Sequence, residues 1–232
     1  MQRILITGAN RGIGLELVRQ CMARGDRVFA GCRQPVQANT LRQMAASHPN
    51  QLTLLSLDVT SRPSIASALA TAQSKIDGLD VLVNNAGYFP RGEKLESLDP
   101  DVMLYTFHVN TVGPVSMIQA FLPLLRKGRQ PRVLNISSQL GAITLAQNGR
   151  HHSYNSSKAA LNMLTRILAV ELKDREIIVV AIHPGWVKTD MGGAKAPLTP
   201  EESVAGILSL ADRLSPEDSG LFFTWKGERH PW

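Results

Sequence analysis

Short, almost uninterrupted apolar runs alternate along the chain with segments whose apolar residues recur at helical spacing, and this alternation limits the fold more than any other feature. RILIT at 3–7 leads through Gly-rich GANRGIG into a helical pattern carried by Ile13, Leu17, Val18, Cys21 and Met22. RVFAGC at 27–32 precedes a helix near 38–47, and LTLLSL at 52–57 precedes a helix at 61–75 opened by Ser61 and Pro63. LDVLVNN at 79–85 is followed by a long helical stretch from Asp99 to Leu125, in which Pro114 and Pro123 predict a bend or local break. RVLNIS at 132–137, a loop, a helix over 153–173, IIVVAI at 177–182, a helix near 200–213 and GLFF at 220–223 complete the order.

Strands this apolar, separated by helices, predict an α/β fold: a Rossmann-type, doubly wound, seven-stranded parallel sheet with helices on both faces. No linker, composition shift or repeat divides the chain, so 1–232 is expected to form one domain. Twenty-five Lys and Arg against nineteen Asp and Glu give +6, but the charges are scattered and the longest basic run is RKGR at 126–129. A nucleic-acid surface would need clustering that is absent. No apolar run approaches the ~18 residues of a membrane span. Cys21 and Cys32 have the spacing of neither a disulfide framework nor a zinc site and read as reduced thiols. Strand-like sequence begins at Gln2, which leaves no room for a signal peptide, so a cytoplasmic location is expected.

In open parallel sheets, ligands lie beyond the carboxyl ends of the strands, near the point where strand order reverses. The first strand runs into TGANRGIG, with Gly8, Gly12 and Gly14 spaced G-x3-G-x-G. Missing side chains there let a pyrophosphate reach the backbone, and the helix N-terminus adds partial positive charge. Asn10, Arg11 and Ile13 complete this candidate cofactor turn. At the end of the second strand, an acid would bond the ribose 2′-hydroxyl of NAD(H) and repel a 2′-phosphate. Cys32 and Arg33 stand there instead, and Arg33 with Arg11 could clamp a phosphate. NADP(H) is therefore the preferred cofactor and NAD(H) the alternative; either arginine alone could be a solvated surface residue.

NNAG at 84–87 follows the fourth strand, HVN ends at Asn110, NISS closes the fifth strand at Ser138, and YNSSK at 154–158 opens the next helix. In motif order, and across nearly the whole chain, the sequence resembles the short-chain dehydrogenase/reductase family, nearest its branch of sniffer-type carbonyl reductases and bacterial C-factor proteins. The resemblance implies an NADPH-dependent oxidoreductase that reversibly reduces a ketone or aldehyde to an alcohol, with Tyr154 as proton donor. It implies that Lys158 bonds the nicotinamide ribose and Ser138 holds the substrate oxygen, with adjacent Ser137 as the other candidate. Asn110 would support a water-linked proton path to Lys158. Asn84, Ala86 and Gly87 would border the adenosine and ribose, and Asp58 with Val59 would approach the adenine, although Asp58 could instead cap the following turn. In HPGWVKTDM, Pro184 and Gly185 would turn the chain under the nicotinamide while the Val187 backbone and Thr189 hydroxyl hold its carboxamide. The family commonly pairs subunits through the helices carrying Asn110 and Tyr154, which implies a homodimer or homotetramer. A C-factor-like signalling or nucleotide-sensing protein with little turnover is the rival reading.

The residues make a physical case of their own. Positions i and i+4 share a helix face, so the Lys158 ammonium is expected to lower the Tyr154 phenol from a pKa of about 10 toward neutrality. A phenol so tuned can protonate a carbonyl oxygen. Ser138 and Tyr154 stand sixteen positions apart, a few more than the family usually leaves. If the intervening loop folds over the cleft, Leu140, Leu145 and Trp186 would wall the substrate end; each could equally belong to the core or a subunit contact. His151 and His152 have no accompanying ligand cluster and read as loop histidines at the rim, not a metal site.

Overall fold

The computed structural model describes residues 1–147 and 149–232. The apolar runs form β1 (Arg3–Thr7), β2 (Arg27–Cys32), β3 (Leu52–Ser56), β4 (Val81–Asn84), β5 (Arg132–Ile136), β6 (Ile178–His183) and β7 (Phe222–Thr224). They pair into one seven-stranded parallel sheet in the order β3-β2-β1-β4-β5-β6-β7. The helices between them are α1 (Gly12–Ala23), α2 (Asn39–Ser47), α3 (Arg62–Gln73), α4 (Pro100–Phe107), α5 (Gly113–Leu125), α6 (His152–Glu171) and α7 (Pro200–Arg213). No described helix is long and apolar enough to cross a membrane.

Successive strand side chains point to opposite faces, so each strand feeds two cores. Ile4, Ile6, Val28 and Val83 pack with Leu17, Leu41 and Ile207 beneath α1, α2 and α7. Leu5, Phe29 and Leu82 pack with Ile65, Met117 and Phe121 beneath α3 and α5. Covering both faces in this way is what makes the strands continuously apolar.

The expected break in the long helix is a π-helical turn, His108–Val112, joining α4 to α5. Pro114 has no N–H to give to the carbonyl of Asn110 four residues back, so α-helical bonding cannot continue through that point. The widened turn carries Asn110, fully buried, toward α6.

At the amino ends of the strands, Asp80 ties three segments together. Its carboxylate accepts from the Arg3 N–H (2.7 Å), the Arg3 guanidinium (2.7 and 3.1 Å) and the Arg129 N–H (2.7 Å). Burial opposes its charge, but these donors and the Arg3 cation outweigh it and hold the carboxyl below its ordinary value. A depressed carboxyl contributes stability above the unfolded value of ~3.9 and loses it as pH falls through the lower folded value. Asp80→Ala should therefore cost about 3 kcal/mol in urea unfolding near neutral pH. The gap to the wild type should close under acid; a gap that persists there would contradict this account.

Candidate active site

Strand order reverses between β1 and β4, and their carboxyl ends are stitched together. The Thr7 hydroxyl accepts from the N–H groups of Asn85 (3.0 Å) and Ala86 (2.9 Å), while the Asn85 amide donates to the carbonyls of Thr7 (2.9 Å) and Gly8 (3.1 Å). Gly8 sits at φ +64°, and a Cβ there would stand 2.8 Å from Ala86 Cα. A Cβ on Gly14 would come within 2.2 Å of the Gly8 carbonyl oxygen. Only glycine fits at either position.

Beyond this junction lies a cleft of about 250 Å³. Gly8, Asn10, Arg11, Gly12, Ile13 and Gly14 line one end together with Arg33, Asp58 and Val59, and Ala86, Gly87, Tyr154, Lys158, Pro184 and Thr189 continue the wall. Helix α1 opens onto it with no side-chain cap and no acid in its first turn, which leaves its leading N–H groups for an anion. The glycine cradle and uncapped N-terminus together fit a dinucleotide pyrophosphate.

Arg33 reaches the Tyr105 hydroxyl at 3.3 Å. Arg11 turns elsewhere, to Asp190 at 3.0 Å, so the two arginines are not gathered on one spot. That pair is largely exposed, and such pairs contribute only about 0–1 kcal/mol. Asp58 lines the cleft and also shapes its own turn, accepting from the Thr60 N–H (2.9 Å) and hydroxyl (2.7 Å). Burial works against its charge, but the Thr60 bonds, with Arg33 and His108 nearby, keep its pKa below the ordinary value.

At the other end stand Tyr154 and Lys158 on the first turns of α6. The Lys158 ammonium donates to the Ile136 carbonyl at 2.8 Å and lies 5.7 Å from the Tyr154 ring centroid. The expected lowering of the phenol is reversed here: burial pushes Tyr154 up to about 12, only partly offset by a hydrogen bond with Ser138. Burial likewise lowers Lys158 from 10.5 to about 8. Spacing brings the two groups together, but desolvation decides the direction of both shifts. The adjacent serines divide their work. Ser137 lines the cleft and gives its hydroxyl to Asn162 (2.6 Å), whereas Ser138 lies outside that lining, beside Tyr154, and accepts from the Leu140 N–H (3.1 Å).

Asn110 braces this corner. Its side chain accepts from the Tyr88 N–H (2.8 Å) and donates to the Tyr88 carbonyl (2.9 Å) and the Ser157 hydroxyl (3.0 Å). Asn84 stays inside the sheet on Asn135 (2.8 Å), and its neighbour Asn85 faces the cleft. Val187 is buried and Gly185 packs on Leu198 and Trp225, behind the lining formed by Pro184 and Thr189.

Leu140, Leu145 and Trp186 are not among the residues around the cleft. Trp186 donates to the Gly192 carbonyl (2.8 Å), and the loop carrying Leu145 is held away by Thr144, which donates to the Trp232 carbonyl from its N–H (3.1 Å) and hydroxyl (2.7 Å). Tyr88, Tyr105 and Met191 occupy the wall instead. Sequence reasoning passed over these residues and Asn85; the Asn84-Asn85 doublet at a strand end was the available signal. His151 packs against Phe89, and no cluster of three metal-ligating side chains occurs among the described residues.

Doubly wound domains with a crevice at the switch point form a large class that binds nucleotides and other ligands there. Within that class, the chain belongs to the short chain dehydrogenase family, whose profile matches residues 2–198. An NADPH-bound carbonyl reductase from chicken fatty liver superposes with a TM-score of 0.94 at 40% identity, covering 100% of this chain and 99% of that one. The carbonyl reductase Sniffer of Drosophila melanogaster superposes at 0.95 with 35% identity and full coverage of both chains. The C-signal protein of Myxococcus xanthus is 42% identical over 154 residues, 66% of this chain and 93% of that protein.

Holding a buried ammonium costs stability. Lys158 titrates near about 8 when folded and ~10.4 when unfolded, so between those values the unfolded chain binds more protons and native stability rises with pH. Lys158→Met should thus melt at a higher temperature than the wild type near pH 7. Its advantage should shrink as pH rises through that window; a constant advantage would contradict the burial cost.

Proposed function

We propose that this chain reduces the carbonyl of a ketone or aldehyde to an alcohol, reversibly, with NADPH as the preferred reductant and NADH as the weaker alternative. One observation carries the reading: a buried phenol and an ammonium line one end of a cleft, with Ser138 beside the phenol, and the other end is a glycine cradle beside Arg33. The NADPH bound by the chicken liver enzyme supports the cofactor assignment. When bound, the nicotinamide supplies the hydride.

The residues of the chain would do the rest. A phenol held at about 12 remains protonated at neutral pH, so Tyr154 stands ready as the acid that protonates the carbonyl oxygen. Lys158, still mostly charged near pH 7, would stabilise the phenolate left behind and hold the nicotinamide ribose. Ser138 would hold the substrate oxygen beside Tyr154, and Asn110 would act by fixing α6 and the segment after β4. Arg33 would take the 2′-phosphate, with Asp58 and Val59 at the adenine. Gly185 would turn the chain beneath the nicotinamide, and Val187 and Thr189 would hold its carboxamide. Met163, Ile167 and Val170 form an exposed apolar stripe along α6, which supports assembly of a homodimer or homotetramer. We place the protein in the cytoplasm, where buried Cys21 and Cys32 would stay reduced.

The similarity to C-signal supports a second reading, a nucleotide-binding signalling protein with little turnover. Cofactor binding without oxidation across aliphatic, aromatic and steroid carbonyls would favour it. Under the primary reading, Tyr154→Phe should lower kcat by about 10³-fold while NADPH still binds, because a placed acid contributes about 10²–10⁴. Arg33→Ala should weaken NADPH at least ~10-fold and NADH less than ~2-fold, since a charge-assisted bond is worth about 1.5–3 kcal/mol. Equal losses for the two nucleotides in titration would overturn the Arg33 assignment.

A further inference from the structure

Helix α6 presents Tyr154 from its first turn, yet its own sequence does not cap that turn. His151 occupies the N-cap in a left-handed conformation (φ +56°) and makes no side-chain cap bond. The missing acceptor comes from sixty residues upstream: Glu93, on the segment between β4 and α4, accepts the Ser153 N–H at 3.1 Å and also the Ser153 hydroxyl. Ser153 is fully buried and immediately precedes Tyr154. The same segment places Phe89 edge-on against the Tyr154 ring, 4.7 Å between centroids, and 4.8 Å from the His151 ring. Asn110 grips it at Tyr88.

We infer that Glu93 is a positioning residue for Tyr154, acting as a cap supplied from a distant segment that fixes the turn carrying the phenol. A carboxylate at a helix N-terminus satisfies orphan N–H groups and meets the positive end of the helix dipole. Its particular consequence here is geometric. The side chain of residue 154 leaves the helix one position after the capped residue, so fraying of that turn displaces the hydroxyl from Ser138 and from Lys158. Glu93 is not among the residues lining the cleft, so it acts through Ser153 and not on a bound molecule. This inference rests on the reductase reading for its kinetic consequence, while the cap itself does not.

Two measurements on the full chain test it. In steady-state reduction with NADPH, Glu93→Ala should lower kcat by about 10–100-fold, the scale of an ångström-sized misplacement. Its NADPH dissociation constant should stay within about 2-fold, because the glycine cradle and Arg33 are untouched. Glu93→Gln retains an oxygen that can accept the Ser153 N–H and should recover kcat to within about 3-fold of wild type. In hydrogen exchange, the first-turn amides of α6 should exchange at least about 10-fold faster in Glu93→Ala while those of β5 do not change. Unchanged first-turn exchange would overturn the cap. Faster exchange with undiminished kcat would overturn positioning, and Gln as damaging as Ala would do the same, pointing to charge in place of geometry. A wild type that reduces no carbonyl would instead sink the reductase reading and positioning with it, with exchange still deciding the cap.

Discussion

The site depends first on how closely the carboxyl ends of β1 and β4 approach each other. Thr7 and Asn85 lock these ends with four hydrogen bonds, and Gly8 leaves so little room that one methyl group would meet Ala86. A parallel sheet splays its crossovers to either side of this point and opens a crevice between them. From that junction one wall runs through the glycine cradle to α1, and the other through the segment after β4 toward α6. Strain or a larger side chain at the junction would therefore disturb both the nucleotide end and the chemical end of the cleft.

The chemical end is governed by desolvation. Tyr154 and Lys158 both sit where water is excluded, and each is pushed toward its neutral form. For a reductase this direction is useful. In the proposed reduction the acid would keep its proton until a carbonyl oxygen gathered charge, and the ammonium, only 5.7 Å from the ring centroid, would then find a partner worth far more in a dry site than in water. The lysine is lodged there at a cost in stability, the usual sign of a group kept for function. Around this pair the fold spends polar side chains on bracing: Asn110 on Tyr88 and Ser157, Ser137 on Asn162, Glu93 on Ser153.

The strands were legible because glycines and polar turns punctuate runs such as RILIT and RVFAGC, and β1 and β2 match those runs residue for residue. Pro114 announced an interruption in the long helix, but proline chemistry alone does not distinguish a kink from the π turn that buries Asn110. Spacing placed Tyr154 and Lys158 together and could not report the burial that sets their titration. Asn84 was the residue expected at the cofactor, but strand alternation turns it onto Asn135 inside the sheet and leaves Asn85 facing the cleft. The Glu93 cap left no local trace, since its partner lies sixty residues away. The loop from Ser138 to His151 was hardest to read: Thr144 is anchored on Trp232, a contact that no periodicity encodes.

In the proposed reaction this cleft delivers hydride to a carbonyl carbon while Tyr154 protonates the oxygen. The most direct measurement follows the isotope: incubate the chain with NADPH deuterated on the transferable position and a panel of carbonyls, and weigh the product alcohol by mass spectrometry. The account predicts a single deuterium on the carbinol carbon, with the hydroxyl proton coming from solvent exchange. Bound, unconsumed cofactor with no labelled alcohol from any carbonyl in the panel would contradict it.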